Sequence, residues 1–157
     1  MKKVSPFVLV LSVAVVGLLL AAPSVDARKE YKDAFYEKYV DDNADYKEVA
    51  DAKVGGRCWL CHVNMSKFDP PEKGLGKRVR NNYGFALSQF LEEKEKDAEK
   101  IAEALEQVAA LKSDPEDDES PTFGELIEAG KLPHDGVPNA DDLEAARAWK
   151  AEKAAGK

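Results

Sequence analysis

The stretch Cys58-Trp59-Leu60-Cys61-His62 constrains this chain more than any other feature. The sequence of 157 residues holds two cysteines and two histidines, and both cysteines and one histidine fall within these five positions. Three soft or borderline ligands crowded together imply a metal, a redox pair or a covalently held cofactor. Whatever fold forms must present this turn to that chemistry. The same two cysteines cannot make the disulfide framework of a small secreted scaffold, so the stability has to come from a packed core.

The N-terminus reads as an address. Lys2 and Lys3 precede a run from Phe7 to Leu20 that is apolar apart from Ser12 and Gly17, and small residues follow. This is the pattern of a secretory signal peptide, whose apolar core spans roughly 7–15 residues. An uncleaved membrane anchor is the other reading, but a spanning helix needs about 20 apolar residues. Cleavage is expected after Ala27, or failing that after Ala22, and no cysteine stands at either exit to take a lipid. Residues 1–27 are therefore read as a signal peptide and 28–157 as one domain, periplasmic or secreted. Removing Lys2, Lys3 and Asp26 from 23 basic and 30 acidic residues leaves 21 against 29, a net charge of −8. Such a surface disfavours nucleic acid and anionic membrane as partners and suggests docking to a basic surface.

The mature chain has helical periodicity throughout. Tyr31, Phe35 and Tyr39 recur every four residues and give one aromatic face, expected to pack in the core. A short helix is expected from Ala44 to Ala52, ended by Gly55-Gly56. Residues 66–84, with two prolines and several glycines, read as an irregular loop. An amphipathic pattern runs from Leu87 to Ala109; as one helix it would be too long for this domain, so the charged run 92–97 is its break, with Asp97 capping the second part. Residues 113–120 form an acidic connector. Thr122 and Glu125 have capping-box spacing, with Gly130 at the helix end. A proline-containing loop follows, and Asn139 caps a last helix burying Leu143, Ala146 and Trp149. No alternating strand pattern and no glycine-rich phosphate loop occurs. The fold class is all-α.

Three chemistries fit Cys58-x-x-Cys61-His62. Dithiol exchange places its Cys-x-x-Cys where a strand meets a helix, and no strand pattern precedes it here. A zinc site would recruit Cys58, Cys61, His62 and His134 with no ligand to spare, yet the adjacent Cys61 and His62 point in different directions. Covalent haem attachment accounts for the spacing. A three-residue offset puts both sulfurs on one side of a helical turn, ready to add to two vinyl groups, and the next residue ligates the iron. Such attachment occurs outside the cytoplasm, in agreement with the export signal.

Through CWLCH, and through the order helix, motif, irregular loop, helices, proline loop and terminal helix, the chain resembles the c-type cytochromes. The resemblance implies a small helical domain around one covalent haem c, thioethers on Cys58 and Cys61, His62 as proximal ligand, and single-electron transfer with redox protein partners. No catalytic carboxylate pair, nucleophile–base pair or second metal cluster appears in the sequence, so no enzyme activity is expected. The chain departs from the family pattern at the distal ligand, which is commonly a methionine in the loop before the terminal helix. Apart from Met1 the only methionine is Met65. At ~3.5 Å of reach per residue, three residues cannot carry it round the ~8 Å half-width of a porphyrin to the far face. Met65 is therefore expected to pack. His134 occupies the loop in question and is the candidate distal ligand, with Lys131 or an open position as alternatives. An open position would make a five-coordinate haem protein that binds or senses a gas or reduces peroxide. A zinc-stabilised interaction module without haem is the remaining reading. Trp59 is expected to pack on the porphyrin. Arg57, Lys73, Lys77, Arg78 and Arg80 would pair with haem propionates, steer a partner or form a solvated loop. Tyr83 would donate to a propionate or anchor the next helix.

Overall fold

The computed structural model describes residues 29–156 without 55–57, 69–70 and 93. The expected signal peptide, the Gly55-Gly56 helix end and Arg57 lie outside the described residues. Among the described residues six α-helices follow in order: α1 (Lys29–Tyr39), α2 (Ala44–Val54), α3 (Asn82–Phe90), α4 (Ala98–Ala109), α5 (Phe123–Glu128) and α6 (Ala140–Ala155). Single 3-10 turns at Met65–Lys67 and Gly76–Arg78 interrupt the segment between α2 and α3. Among the described residues there is no strand, only isolated antiparallel bridges. None of the described helices is long and apolar enough to cross a membrane.

Local sequence explains the helix boundaries. Glu95 accepts hydrogen bonds from the Lys96 and Asp97 amides, Lys94 adopts φ +73°, and Asp97 accepts from the Glu99 and Lys100 amides. This reversal separates α3 from α4 at the charged run, as the pattern requires. Thr122 and Glu125 form a reciprocal capping box on α5, and Gly130 follows at φ +68°. Asn139 caps α6 by accepting from the Asp142 amide at 3.3 Å. Helix α3 is the departure. It starts at Asn82, inside the segment read as loop, because the Asn81 side chain accepts from the Gly84 amide at 2.8 Å and supplies the N-cap.

Helix α4 lies at the centre, packed by α1, α3 and α5. Its buried Ile101, Ala104, Leu105 and Val108 are spaced at three and four residues, one stripe of a 3.6-residue helix. The main cluster joins these to Phe35, Tyr36 and Val40, to Tyr46 and Ala50, to Tyr83 and Leu87, and to Phe123 and Ile127, with Leu60 of the motif inside it. Tyr31 and Tyr39 pack against this cluster from its margin, so the aromatic face of α1 is a packing face. A second cluster of Val63, Met65, Leu75, Val79 and Ala146, flanked by Phe68 and Leu143, ties the segment after the motif to α6. Met65 is buried there, a packing residue as expected. Trp149 is only half-buried, its ring covered by the Arg78 guanidinium at 3.7 Å.

Candidate functional site

Cys58 to His62 form one helical turn, in which the Cys58 carbonyl accepts from the Cys61 amide at 3.3 Å and the His62 amide at 3.0 Å. The turn is anchored on one side by Leu60, fully buried in the main cluster, and on the other by Val63 in the second. Residues 79–81 run antiparallel beside it. The Val79 carbonyl accepts from the Val63 amide, the Asn81 amide donates to the Cys61 carbonyl, and the Asn81 side chain donates to the Leu60 carbonyl, each at 3.0 Å. Asn81 is entirely buried. With its Oδ1 capping α3, one side chain fixes both the Cys58–His62 turn and the next helix.

Gly84 shows how closely the two approach. A Cβ there would stand 2.8 Å from the Cα and carbonyl carbon of Cys61, and nearer still to the carbonyl oxygen. No other residue type leaves the α3 backbone room against the turn.

The far edge of residues 79–81 meets the start of α6. The Arg80 carbonyl accepts from the Asn139 amide at 2.8 Å, and Asn81 bridges to Pro138. Arg80 grips Asp142 with two guanidinium hydrogen bonds of 2.5 and 2.6 Å, and its amide donates to the same carboxylate at 3.1 Å. Both side chains are nearly enclosed, about 12% and 11% exposed. Arg80 is thus committed to a structural ion pair rather than to a propionate or a partner, and it links the Cys58–His62 turn to the start of α6, just after the loop that carries His134. Arg78 is engaged with Trp149, while Lys73 and Lys77 remain exposed.

His134 follows the buried Pro133 in that loop and lies beside the Trp59 backbone of the Cys58–His62 turn, which favours the protonated ring. Neither ring nitrogen has a hydrogen-bond partner within the chain, and both are buried. Burial depresses the His134 pKa to about 4. His62 is buried too, with an unpartnered Nδ1. Burial lowers its pKa to about 4, assisted by the Arg80 and Lys77 charges and opposed by the Val79 backbone and Asp142. Lys131, the alternative to His134, is exposed. The Cys61 thiol is pushed up to about 12 by burial and then by Cys58. An exchange-active thiol needs the opposite shift, so dithiol exchange gains nothing from this environment.

Tyr83 is fully buried, ring edges set against Phe35 and Phe123, and its hydroxyl has no partner; the Tyr46 hydroxyl is likewise buried and unpartnered. Burial first, and then the field of Cys61, raise the Tyr83 pKa. Its ring anchors α3 in the core, as one of the two sequence readings has it.

Buried polar atoms are almost always hydrogen-bonded, to protein or to something the protein holds. Such atoms occur here without a partner on His62, His134 and Tyr83, in or beside the Cys58–His62 turn, and on Tyr46 of α2. A haem fits this donor set, since it needs two thiols on one side of a turn and single imidazoles rather than a cage. A tetrahedral zinc site fits less well: among the described residues no three His, Cys, Asp or Glu side chains are grouped to hold an ion. Two positioning elements escape sequence reasoning, the Arg80–Asp142 pair and the buried Asn81. Only Asn81 leaves a local signal, an asparagine just before an apolar helical run. No protein-family model, no curated protein and no solved structure matches the chain.

Proposed function

We propose that the protein is an exported single-electron carrier holding one haem c, with Cys58 and Cys61 as thioether sites and His62 and His134 as the two axial ligands. The observation that carries this reading is the pairing of the chain's two histidines. They are far apart in sequence, yet both lie at the Cys58–His62 turn, His134 with both ring nitrogens buried and unpartnered and His62 with a buried, unpartnered Nδ1.

When bound, the haem supplies a reversible one-electron change at iron. The chain's part is to hold the ligands still. Asn81, Gly84 and the antiparallel contact at Val79 lock the proximal turn, and the Arg80–Asp142 pair ties it to the loop of the distal imidazole. A neutral thioether suits the Cys61 site, which disfavours a thiolate. Burial keeps both imidazoles neutral and able to ligate at neutral pH. Two imidazoles predict a lower potential than a histidine–methionine pair, because methionine ligation raises it.

The test is a visible spectrum of the reduced, exported protein with and without carbon monoxide. Sharp low-spin bands that the gas does not move are expected from the native chain, and gas binding is expected from His134→Ala. Native bands that shift under carbon monoxide would favour the five-coordinate, gas-binding or peroxide-reducing protein. Absence of any haem spectrum would remove both readings.

A further inference from the structure

The surface beside His62 has the opposite sign to the molecule as a whole. From Lys73 to Asn82 the chain carries four cations and no acid. This segment lies against the second half of α6, where Arg147, Lys150 and Lys153 meet a single acid, Glu152. The two are clamped together: Lys150 donates to the Lys73 carbonyl at 2.6 Å, Arg147 pairs with Glu72, and Arg78 and Lys153 flank the Trp149 ring at 3.7 and 5.8 Å. Asp142 and Glu72 are paired with Arg80 and Arg147, which leaves Glu152 as the one acid on the face against the exposed Lys73, Lys77, Lys150 and Lys153 around a half-buried indole. The face is close to the site, because Arg78 directly precedes the Val79–Asn81 stretch that bridges to His62 and hydrogen-bonds Cys61 and Val63. In a mature chain of net charge −8, such a concentration of cations from separate segments builds a local positive field at one end.

We infer that the face formed by Lys73, Gly76–Arg78 and α6 from Arg147 to Lys153 is the docking surface for an acidic redox protein. This is the reverse of the basic partner that net charge alone suggests, and it rests on the carrier reading. Charges of this kind act mainly on the rate of encounter, and over only about 10 Å at 0.1 M salt. A patch next to the iron ligand therefore outweighs a larger charge spread over the far side.

Reduced holoprotein can be oxidised in a stopped-flow instrument by two small probes, anionic hexacyanoferrate(III) and cationic tris(phenanthroline)cobalt(III). Each reaction moves one electron from the reduced haem iron to the probe's metal, which falls from the III to the II state. The docking surface predicts that the rate with the anionic probe drops about tenfold between roughly 0.01 and 0.15 M salt. The double variant Lys77→Glu, Lys153→Glu should reverse that slope without altering the visible spectrum. The control Lys96→Glu, on neither segment, should leave the slope alone. A native rate that rises with salt, or a slope untouched by the double reversal, would overturn the assignment. So would co-sedimentation with phosphatidylserine vesicles that the same reversals abolish, which would make the face a membrane contact. A failure of the carrier reading is separately visible, since the starting protein would then lack a haem spectrum, and the docking assignment would fall with it.

Discussion

Asn81 concentrates several demands in one side chain. Its amide group donates to Leu60, its oxygen accepts from Gly84, and its backbone binds Cys61, all without exposure to water. Replacing it with alanine leaves a buried carbonyl and a helix-capping amide without partners. Asn81→Ala should cost about 3 kcal/mol, read as a lower urea midpoint at unchanged slope. A loss under about 1 kcal/mol would mean that the turn is held elsewhere. Gly84→Ala should be at least as damaging, because its methyl would collide with the Cys61 backbone. We expect loss of about 3 kcal/mol and poor haem incorporation, measured by chemical denaturation and by the ratio of haem to protein absorbance. Asp142→Ala strands the Arg80 guanidinium in a nearly enclosed site, at a cost of about 3 kcal/mol. At this scale the sequence is uneven. Cys58, Cys61 and His62 stand out by spacing alone, because the proposed haem attachment needs that spacing. Arg80 looks like one cation in a basic run, and only the fold supplies Asp142, 62 residues away.

Among the elements, those with local causes were legible. The breaks and caps at Asp97, Thr122 and Asn139 depend on side chains within three residues of the amides they bind, so the chain spells them out. Thr122→Ala removes one half of the capping box and should lower stability by about 1 kcal/mol in thermal or urea unfolding. A neutral result would show that packing of Phe123 alone sets that helix. The start of α3 was hidden by its composition: Asn82 and Gly84 are weak helix formers, and tertiary contacts override them. The antiparallel alignment of residues 62, 80 and 138 was hidden for another reason. It consists of isolated bridges between segments with no alternating pattern, so nothing periodic marks it.

Across the whole molecule, the core holds the tyrosine hydroxyls of Tyr46 and Tyr83 away from water and those of Tyr36 and Tyr39 partly so. Tyr36 is raised to about 12 by burial and by its hydrogen bond to Asp51, and Tyr39, Tyr46 and Tyr83 are raised as well, each chiefly by burial. A folded pKa above the unfolded value of 10 means that the unfolded chain loses its protons first as pH rises. The stability these groups contribute is complete below pH 10 and declines from there through about pH 12. Urea midpoints should therefore fall steeply above pH 10, with tyrosinate absorbance appearing together with unfolding rather than before it. Ionisation of more than one of the five tyrosines in the folded protein near pH 10 would contradict this picture of the core. The all-α class was legible from helical periodicity, and the site was legible as far as its attachment turn. The approach of His134 to Trp59 depends on how α6 is tied to residues 79–81, a long-range property that position in the chain only suggests.

The central claim is that Cys58 and Cys61 carry a covalently attached haem. The most direct measurement is the intact mass of the exported chain after denaturation. The account predicts a mass greater than that of the processed polypeptide by one haem, and Cys58→Ala, Cys61→Ala should return the bare value. A native chain with no added mass would contradict it.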